Sequence, residues 1–487
     1  MIEKNTKLIF EKSGTGKRGY SLPPLDVPEV KLEEMIEEDL IRNEIPLLPE
    51  LSEPEVVRHY VNLSMKNHNV DKDFYPLGSC TMKYNPKIND KIASIPGFSM
   101  LHPLMPEHSV QGSLELMYRL EGFLKEITGM HRVTLQPSAG SQGELVGLLI
   151  MKKYHNHKKN IKKYILIPES AHGTNPASVI LAGYDVISLK SDSRGRVDIN
   201  DLKSKMNSDV AGMMLTQPNT LGLFEDQIEE ICKIVHSFDG LMYMDGANLN
   251  ALIGLARPFD MGFDIAHLNL HKTFSTPHGG GGPGAGPIAV TEELSRFLPS
   301  PTIDKRKNGT YFLNFKLDDS IGRIHSFYGN FGILVRAFVY ILSMGSDGLC
   351  EMTRCAIINA NYLKKKLEKY YNIPYGDGTL HEFVISADKQ KERGAKALDI
   401  AKALLDSNFH APTVYFPTTV PESIMIEPTE SESKQTLDRF IDSMIDIDKK
   451  ISTDIDKIKS MPRNTPVRRL DEAKANRELN LKYEVSE

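Results

Sequence analysis

Asp264-Ile-Ala-His267-Leu-Asn-Leu-His271-Lys272-Thr-Phe-Ser-Thr-Pro-His278 runs directly into Gly279-Gly-Gly-Gly282-Pro283-Gly-Ala-Gly286-Pro287. The apolar run Asp264–Leu270 reads as a short buried strand leading to Lys272. Six of the eight residues from Gly279 to Gly286 are glycine, so regular structure stops there and bare backbone can approach a ligand closely. A flexible linker is usually serine-rich; this run contains no serine. A lysine between an apolar strand and such a run therefore reads as part of a site.

The strand before Lys272 is one of several. Apolar runs recur at Tyr164-Ile-Leu-Ile-Pro, Asp185-Val-Ile-Ser-Leu, Val210-Ala-Gly-Met-Met-Leu-Thr, Leu241-Met-Tyr-Met and Pro287-Ile-Ala-Val, mostly separated by helix-length stretches. Near-continuous apolar strands imply a mainly parallel sheet covered on both faces. Ligands in such α/β sheets bind at the carboxyl ends of strands. Upstream, the spacing of Leu114, Met117, Leu120, Phe123, Leu124 and Ile127 predicts a helix over 109–129, closed by Gly129. Downstream, two helical patterns over 327–371 break at Gly345-Ser-Asp-Gly348. The strand-like His381–Ala387 and Ser423–Pro428 then flank a helix at Ala395–Leu405, predicting a smaller α+β domain.

This pattern divides the chain into an arm (1–70), a large domain (71–330), a small C-terminal domain (331–460) and a charged tail (461–487). The arm is rich in proline around Tyr20–Pro28 and Ile45–Leu51, with a short amphipathic helix expected between them over Glu33–Arg42. Asp73–Pro86, bounded by prolines and rich in small polar residues, predicts a structured loop.

Composition narrows the functional class. With 487 residues, 40% hydrophobic and 25% charged, the chain is expected to fold as a globular protein of more than one domain. A net charge of −5 with no long basic run argues against nucleic acid as the main partner. Met1-Ile-Glu-Lys-Asn-Thr-Lys predicts no signal peptide, and no uninterrupted apolar run approaches a membrane span of ~18 residues. Cys80, Cys232, Cys350 and Cys355 show no CxxC spacing, so neither a disulfide framework nor a metal site is expected. The expected compartment is the cytoplasm.

Four strand-end elements assemble around Lys272. Asp245 ends Leu241–Met244, a place from which a carboxylate can hold a proton on a pyridine nitrogen. His172, in Pro168-Glu-Ser-Ala-His-Gly-Thr-Asn-Pro, can lie flat on a ring. Gln136-Pro-Ser-Ala-Gly-Ser141-Gln142-Gly-Glu runs into an apolar helix and offers backbone N–H groups to a phosphate. Thr216 ends its strand where it could reach a ring hydroxyl or substrate. A lysine, a ring-nitrogen carboxylate, a stacking group and a phosphate cradle are what pyridoxal phosphate (PLP) needs, with Lys272 as its covalent attachment. A nucleotide-phosphate role for the glycine run is disfavoured by the missing GK[ST] ending.

Leu268-Asn-Leu-His-Lys-Thr-Phe-Ser-Thr-Pro-His-Gly-Gly-Gly-Gly-Pro-Gly resembles the PLP-lysine motif of the glycine cleavage system P-protein, glycine dehydrogenase (decarboxylating). Leu77-Gly-Ser-Cys-Thr-Met-Lys and Gln136–Glu144 resemble two more of its signatures, and Pro466-Val-Arg-Arg-Leu-Asp-Glu-Ala-Lys resembles the end of the two-chain bacterial form. The resemblance covers residues from about 50 to the tail and is to subunit 2, the half that keeps the lysine. It implies the aspartate-aminotransferase type of fold (fold type I) and a companion subunit 1 without the lysine, the two pairing and doubling to a heterotetramer. It also implies decarboxylation of glycine, with the aminomethyl group passed to the lipoyl arm of H-protein. Carried over by residue, Lys272 attaches PLP, Asp245 meets the ring nitrogen and His172 stacks. Ser141, Gln142 and His271 lie near the phosphate, with Thr216 and Ala247 also at the cofactor. Two alternatives stay open: a fold type I decarboxylase or aminotransferase for another small amino acid, and a non-catalytic scaffold subunit of a PLP complex.

Overall fold

The computed structural model describes residues 6–44, 46–279 and 284–481, so Gly280–Pro283 of the glycine run lie outside the described residues. The chain forms two compact units, residues 73–461 and a smaller unit of 1–72 with 462–487.

The larger unit is built on a seven-stranded sheet of β1 (Arg132–Thr134), β2 (Tyr164–Pro168), β3 (Asp185–Leu189), β4 (Val210–Thr216), β5 (Leu241–Gly246), β6 (Ile265–Leu268) and β7 (Ile288–Val290). Its order is β1-β7-β6-β5-β4-β2-β3. The strands from β3 to β6 run parallel, whereas β7 pairs antiparallel with both β6 and β1. Alternate residues enter two separate cores. Leu166, Met213, Met242, Met244 and Ala266 pack on one face, and Ile165, Met214, Tyr243 and Ile265 on the other. Two buried faces explain why the strand sequences are apolar throughout rather than alternating. The result is the expected α/β architecture.

The second face is covered by the helix Gly140–His157, whose Val146, Ile150 and Tyr154 join that core. Gly147 makes the approach possible, since a Cβ there would lie 2.2 Å from the Tyr243 ring. The strand before the lysine is shorter than expected. It stops at Leu268, and Leu270–Thr273 is one helical turn with Asn269 at its N-cap, so Lys272 stands on that turn. Asn269, a residue that favours caps over strand interiors, ends the strand early.

The helix before β1, Gln111–Thr128, ends on Gly129 at φ 72°, as its spacing predicts. The long helix Phe331–Leu367 breaks at Gly345 (φ 64°, ψ −177°). By length and composition it is the one described helix able to cross a membrane. Its first stretch, Phe331–Met344, rises only roughly 21 Å, short of the ~30 Å a bilayer core requires. Beyond it lies a three-stranded antiparallel sheet of β10 (Phe383–Ser386), β11 (Thr413–Val414) and β12 (Ser423–Ile426), in the order β10-β12-β11; the preceding β8 (Thr302–Lys305) and β9 (Tyr311–Asn314) form a separate hairpin. Helices Ala397–Asp406 and Lys434–Thr453 bury Ile400, Leu404, Phe440 and Met444 against that sheet.

In the smaller unit, the amphipathic helix expected over Glu33–Arg42 does not form; Leu32–Glu34 and Glu38–Leu40 are isolated 3-10 turns. Glu33, Glu34, Glu37, Glu38 and Asp39 place like charges a helical turn apart, and Met35 and Leu40 are about 70% exposed, with no packed surface to compensate. The helix there is Glu53–Ser64 instead, begun by the Ser52/Glu55 capping box with proline in its first turn.

Candidate active site

Register places Thr216, Asp245 and His267 side by side across β4, β5 and β6. Directly paired residues share a face, here the one covered by Gly140–His157, so the three side chains form a row beneath that helix. Asp245 is 3% exposed. Its Oδ2 accepts from the Asn175 amide at 3.0 Å, and its Oδ1 accepts from the Ala247 N–H at 3.0 Å and lies 3.2 Å from His267 Nε2. On its other side, His267 Nδ1 is 2.9 Å from the Tyr243 hydroxyl. Burial drives the Tyr243 pKa far up, so that hydroxyl keeps its proton and donates to Nδ1. His267 Nε2–H is then the donor to Asp245. Burial alone would raise the Asp245 pKa. His267, Asn175, the Ala247 N–H and the charge of Lys272 together outweigh it and hold the carboxyl below its ordinary value. A fully buried aspartate is thereby kept ionised.

Lys272 Nζ donates to the Ser79 carbonyl at 2.7 Å. His271 on its turn and the nearby His278 are kept neutral: burial pulls His271 down to about 3 and His278 down to about 4, with Lys272 adding repulsion at both. Their rings meet edge to face, with centroids 4.9 Å apart.

The expected phosphate loop does precede a helix, and the chain there is packed at backbone level. A Cβ on Gly140 would lie 2.3 Å from Asn269 Oδ1, and one on Gly286 would lie 2.1 Å from the Ala139 carbonyl. Ser141 is exposed in the first turn, where N–H groups lack intrahelical acceptors. Gln142 turns back, its Oε1 accepting from the Ser138 N–H and hydroxyl at 2.7 and 2.9 Å, so it braces the loop. His172 is exposed. Its Nδ1 lies 2.9 Å from Thr174 Oγ1, which donates to Glu144 at 2.8 Å, and its ring meets Phe416 edge to face at 5.6 Å. Glu144 also accepts from Ser178, and its carboxylate falls within 4.8 Å of the Asp245 and His267 ligand atoms. The histidine loop and the sheet row thus meet at one strand-end site.

Buried polar atoms without partners concentrate here. They include Thr216 Oγ1, Asn175 Oδ1, Asn269 Oδ1, His271 Nδ1, Thr273 Oγ1, Thr276 Oγ1 and His278 Nε2. Such atoms are costly in a closed core and ordinary in a site built to take a polar ligand.

Several residues here have no counterpart in the sequence reading. His267 and Tyr243 read as strand interior, and only register reveals them as supports of Asp245. Asn175 lies within the quoted histidine loop, three residues from His172. Glu382 and Glu427 flank apolar strands, and burial of both ends of these strands carries them beside Lys272. The polar pair His381-Glu382 immediately before an apolar run was the available signal.

Residues 352–470 match the family model described as glycine dehydrogenase, C-terminal domain. Proteins named "Probable glycine dehydrogenase (decarboxylating) subunit 2" are similar along nearly the full chain. The one from Chloroherpeton thalassium is 54% identical, covering 99% of this chain and 98% of its own. That from Caldanaerobacter subterraneus subsp. tengcongensis is 55% identical, covering 98% of each chain. Among solved structures, a glycine decarboxylase (P-protein) of the glycine cleavage system in inhibitor-bound form superposes with TM-score 0.72 at 18% identity. It covers 85% of this chain and 95% of its own. A cysteine desulfurase from Thermococcus onnurineus superposes at 0.59 and 16% identity, over 78% and 95%, which is a likeness of fold.

Proposed function

The chain belongs to the glycine dehydrogenase (decarboxylating) subunit 2 family, and from that premise we propose that it decarboxylates glycine on PLP attached to Lys272 and passes the aminomethyl group to the lipoyl arm of H-protein. The observation that carries the site is the buried, ionised Asp245 on the strand end beside the lysine turn.

The residues present fit the cofactor. Gly140 and Gly286 keep the loop bare where side chains would fill it, and the unpartnered Thr216 hydroxyl calls for a polar ligand group. Ser141 and the first N–H groups of Gly140–His157 would hold the phosphate, braced by Gln142. His271 lies on the lysine turn as a neutral imidazole, so it would contribute a hydrogen bond there and no positive charge. Ala247 fixes one oxygen of Asp245, and His172 would cover the ring face. When bound, PLP supplies an electron sink for the pair released as carbon dioxide departs.

The chain's part is electrostatic. Asp245, ionised in a dry environment, would keep a proton on the ring nitrogen, where charge develops as the C–C bond breaks. The released pair then forms a C–S bond to one lipoyl sulfur while the S–S bond breaks, and the second sulfur takes a proton. Lys272 would hold PLP, and its amine, when free, donates to the Ser79 carbonyl. A companion subunit 1, paired and doubled to a heterotetramer, completes this reading, with the cytoplasm as its compartment.

Lys272→Ala, co-expressed with subunit 1, should lose the visible absorbance of attached cofactor and glycine-dependent CO2 exchange with lipoylated H-protein. Retained exchange would move the attachment elsewhere. A substrate panel in which another amino acid outpaces glycine would replace the substrate assignment.

A further inference from the structure

Ser79, Thr81 and Lys83 are alternate residues of one loop, and each is held by a glutamate from the C-terminal part of the unit. The Ser79 N–H donates to Glu382 Oε2 at 2.7 Å. Thr81 donates to Glu427 through its N–H at 2.9 Å and its hydroxyl at 2.6 Å. Lys83 Nζ pairs with Glu430 at 2.7 Å. The same loop reaches the lysine turn twice, since Lys272 Nζ donates to the Ser79 carbonyl and Lys83 Nζ donates to the Thr273 carbonyl at 2.8 Å.

The loop is held under conformational strain. Ser79 at φ 62° and Thr81 at φ 46° both occupy the left-handed region, which a β-branched residue rarely enters. Such conformations persist where the surroundings fix them, and they gather at functional sites. Gly78 packs so closely that a Cβ would lie 2.2 Å from Met425 Cγ. Glu382 and Glu427 are both fully buried. Asn248 and Asn250, just beyond β5, each donate to one of them at 3.3 Å. Ligand atoms of His381, Glu382 and Glu427 lie within 4.8 Å of one another, a spacing a cation could use. All four carboxylate oxygens already accept hydrogen bonds from the loop or from the two asparagines, so the pair is arranged as an acceptor.

We propose that Glu382 and Glu427 are positioning residues that pin the Ser79–Thr81 turn so that the Ser79 carbonyl orients the Lys272 amine. This rests on the reading that Lys272 carries PLP. The pair acts through the loop and does not touch the reacting atoms. Because Glu382 directly precedes β10 and Glu427 directly follows β12, the small sheet is mechanically linked to the lysine of the large one.

The test uses the full chain with Glu382→Ala, Glu427→Ala, their Gln counterparts and Thr81→Ala. Hydrogen exchange of the peptide carrying the Ser79 and Thr81 amides is read without added cofactor. PLP uptake is then followed by absorbance. Loss of a buried acceptor should speed exchange of these amides on the order of tenfold or more and slow uptake in parallel. Gln retains an acceptor oxygen and should restore both. Thr81→Ala removes one donor and should shift both in the same direction by less, which keeps the test alive if Glu427→Ala does not fold. Unchanged exchange in the Ala variants overturns the proposal, as does faster exchange with unaltered uptake. Lys272→Ala is the separating control: if it takes up PLP like the parent chain, the lysine assignment fails, whatever the loop does.

Discussion

Asp245 and the Glu382–Glu427 pair are buried carboxyls that all feel the charge of Lys272, yet they are pushed in opposite directions. Burial is the largest influence on each and raises each pKa. At Asp245 an imidazole is the next influence, and with Asn175, the Ala247 N–H and Lys272 it brings the carboxyl below its ordinary value. At Glu382 the next influence is another carboxyl, so the pKa stays far up, and Glu427 is raised as well despite three hydrogen bonds. What decides is whether the local donors and Lys272 outweigh burial: they do at Asp245, and at neither glutamate. The sheet side of Lys272 therefore carries a fixed negative charge, while the loop side offers acceptors without a double one.

Asp245→Asn tests the charged side most severely. It preserves shape and removes the charge, so CO2 exchange should fall on the order of 10²- to 10³-fold with PLP still bound. Near-normal turnover in that variant would mean the ring nitrogen is served by another group.

Glu225 sharpens the same comparison away from the site. It is 1% exposed, and burial pushes it up to about 7; Asp226 adds to the rise, and the Val197 and Gln227 N–H groups with Arg196 oppose it without overcoming it. The folded state holds this proton longer than the unfolded chain. Its stability contribution is therefore intact below the ordinary carboxyl range and is lost as pH rises from there through about 7. Glu225→Gln keeps an acceptor for the Val197 N–H, which Glu225 Oε2 binds at 2.8 Å, and has no proton to lose. Denaturant unfolding at pH 5 and pH 8 should show the parent chain losing stability relative to this variant by roughly 2–3 kcal/mol. An equal difference at both pH values would place the carboxyl in its normal range.

The same asymmetry explains what the sequence made legible. Lys272, Asp245 and His172 could be found because each stands at the end of an apolar run, where the change from buried strand to polar loop is visible in one dimension. Thr216 was visible for the same reason. His267 was not, because nothing local distinguishes a histidine that supports Asp245 from one that fills a core. Its role depends on the β5–β6 register, in which Asp245 faces His267. The Ser79–Lys83 loop was legible as a structured loop without a purpose, since its glutamate partners lie some 300 residues away. In the arm, helical spacing over Glu33–Arg42 failed because periodicity records a possible apolar face and says nothing about a surface to cover it.

His267→Phe gives the mildest and most discriminating test. The ring remains, so packing against Gly143, whose added Cβ would sit 3.2 Å from His267 Cβ, is little changed. The hydrogen bond to Asp245 disappears, and the Tyr243 hydroxyl loses its acceptor. Asn175, the Ala247 N–H and Lys272 still oppose burial, so Asp245 should remain ionised at neutral pH but titrate higher than before. A hydrogen bond to a charged group contributes about 1.5–3 kcal/mol, and part of that loss is recovered by relaxation of the remaining donors. CO2 exchange at pH 8 should therefore fall only on the order of tenfold, whereas the acid limb of the rate profile should move upward. Asn175→Ala should move the same limb in the same direction, because it removes a donor from the other carboxylate oxygen. If both variants slow turnover equally at every pH, His267 and Asn175 merely shape the pocket, and the ionisation of Asp245 has another source.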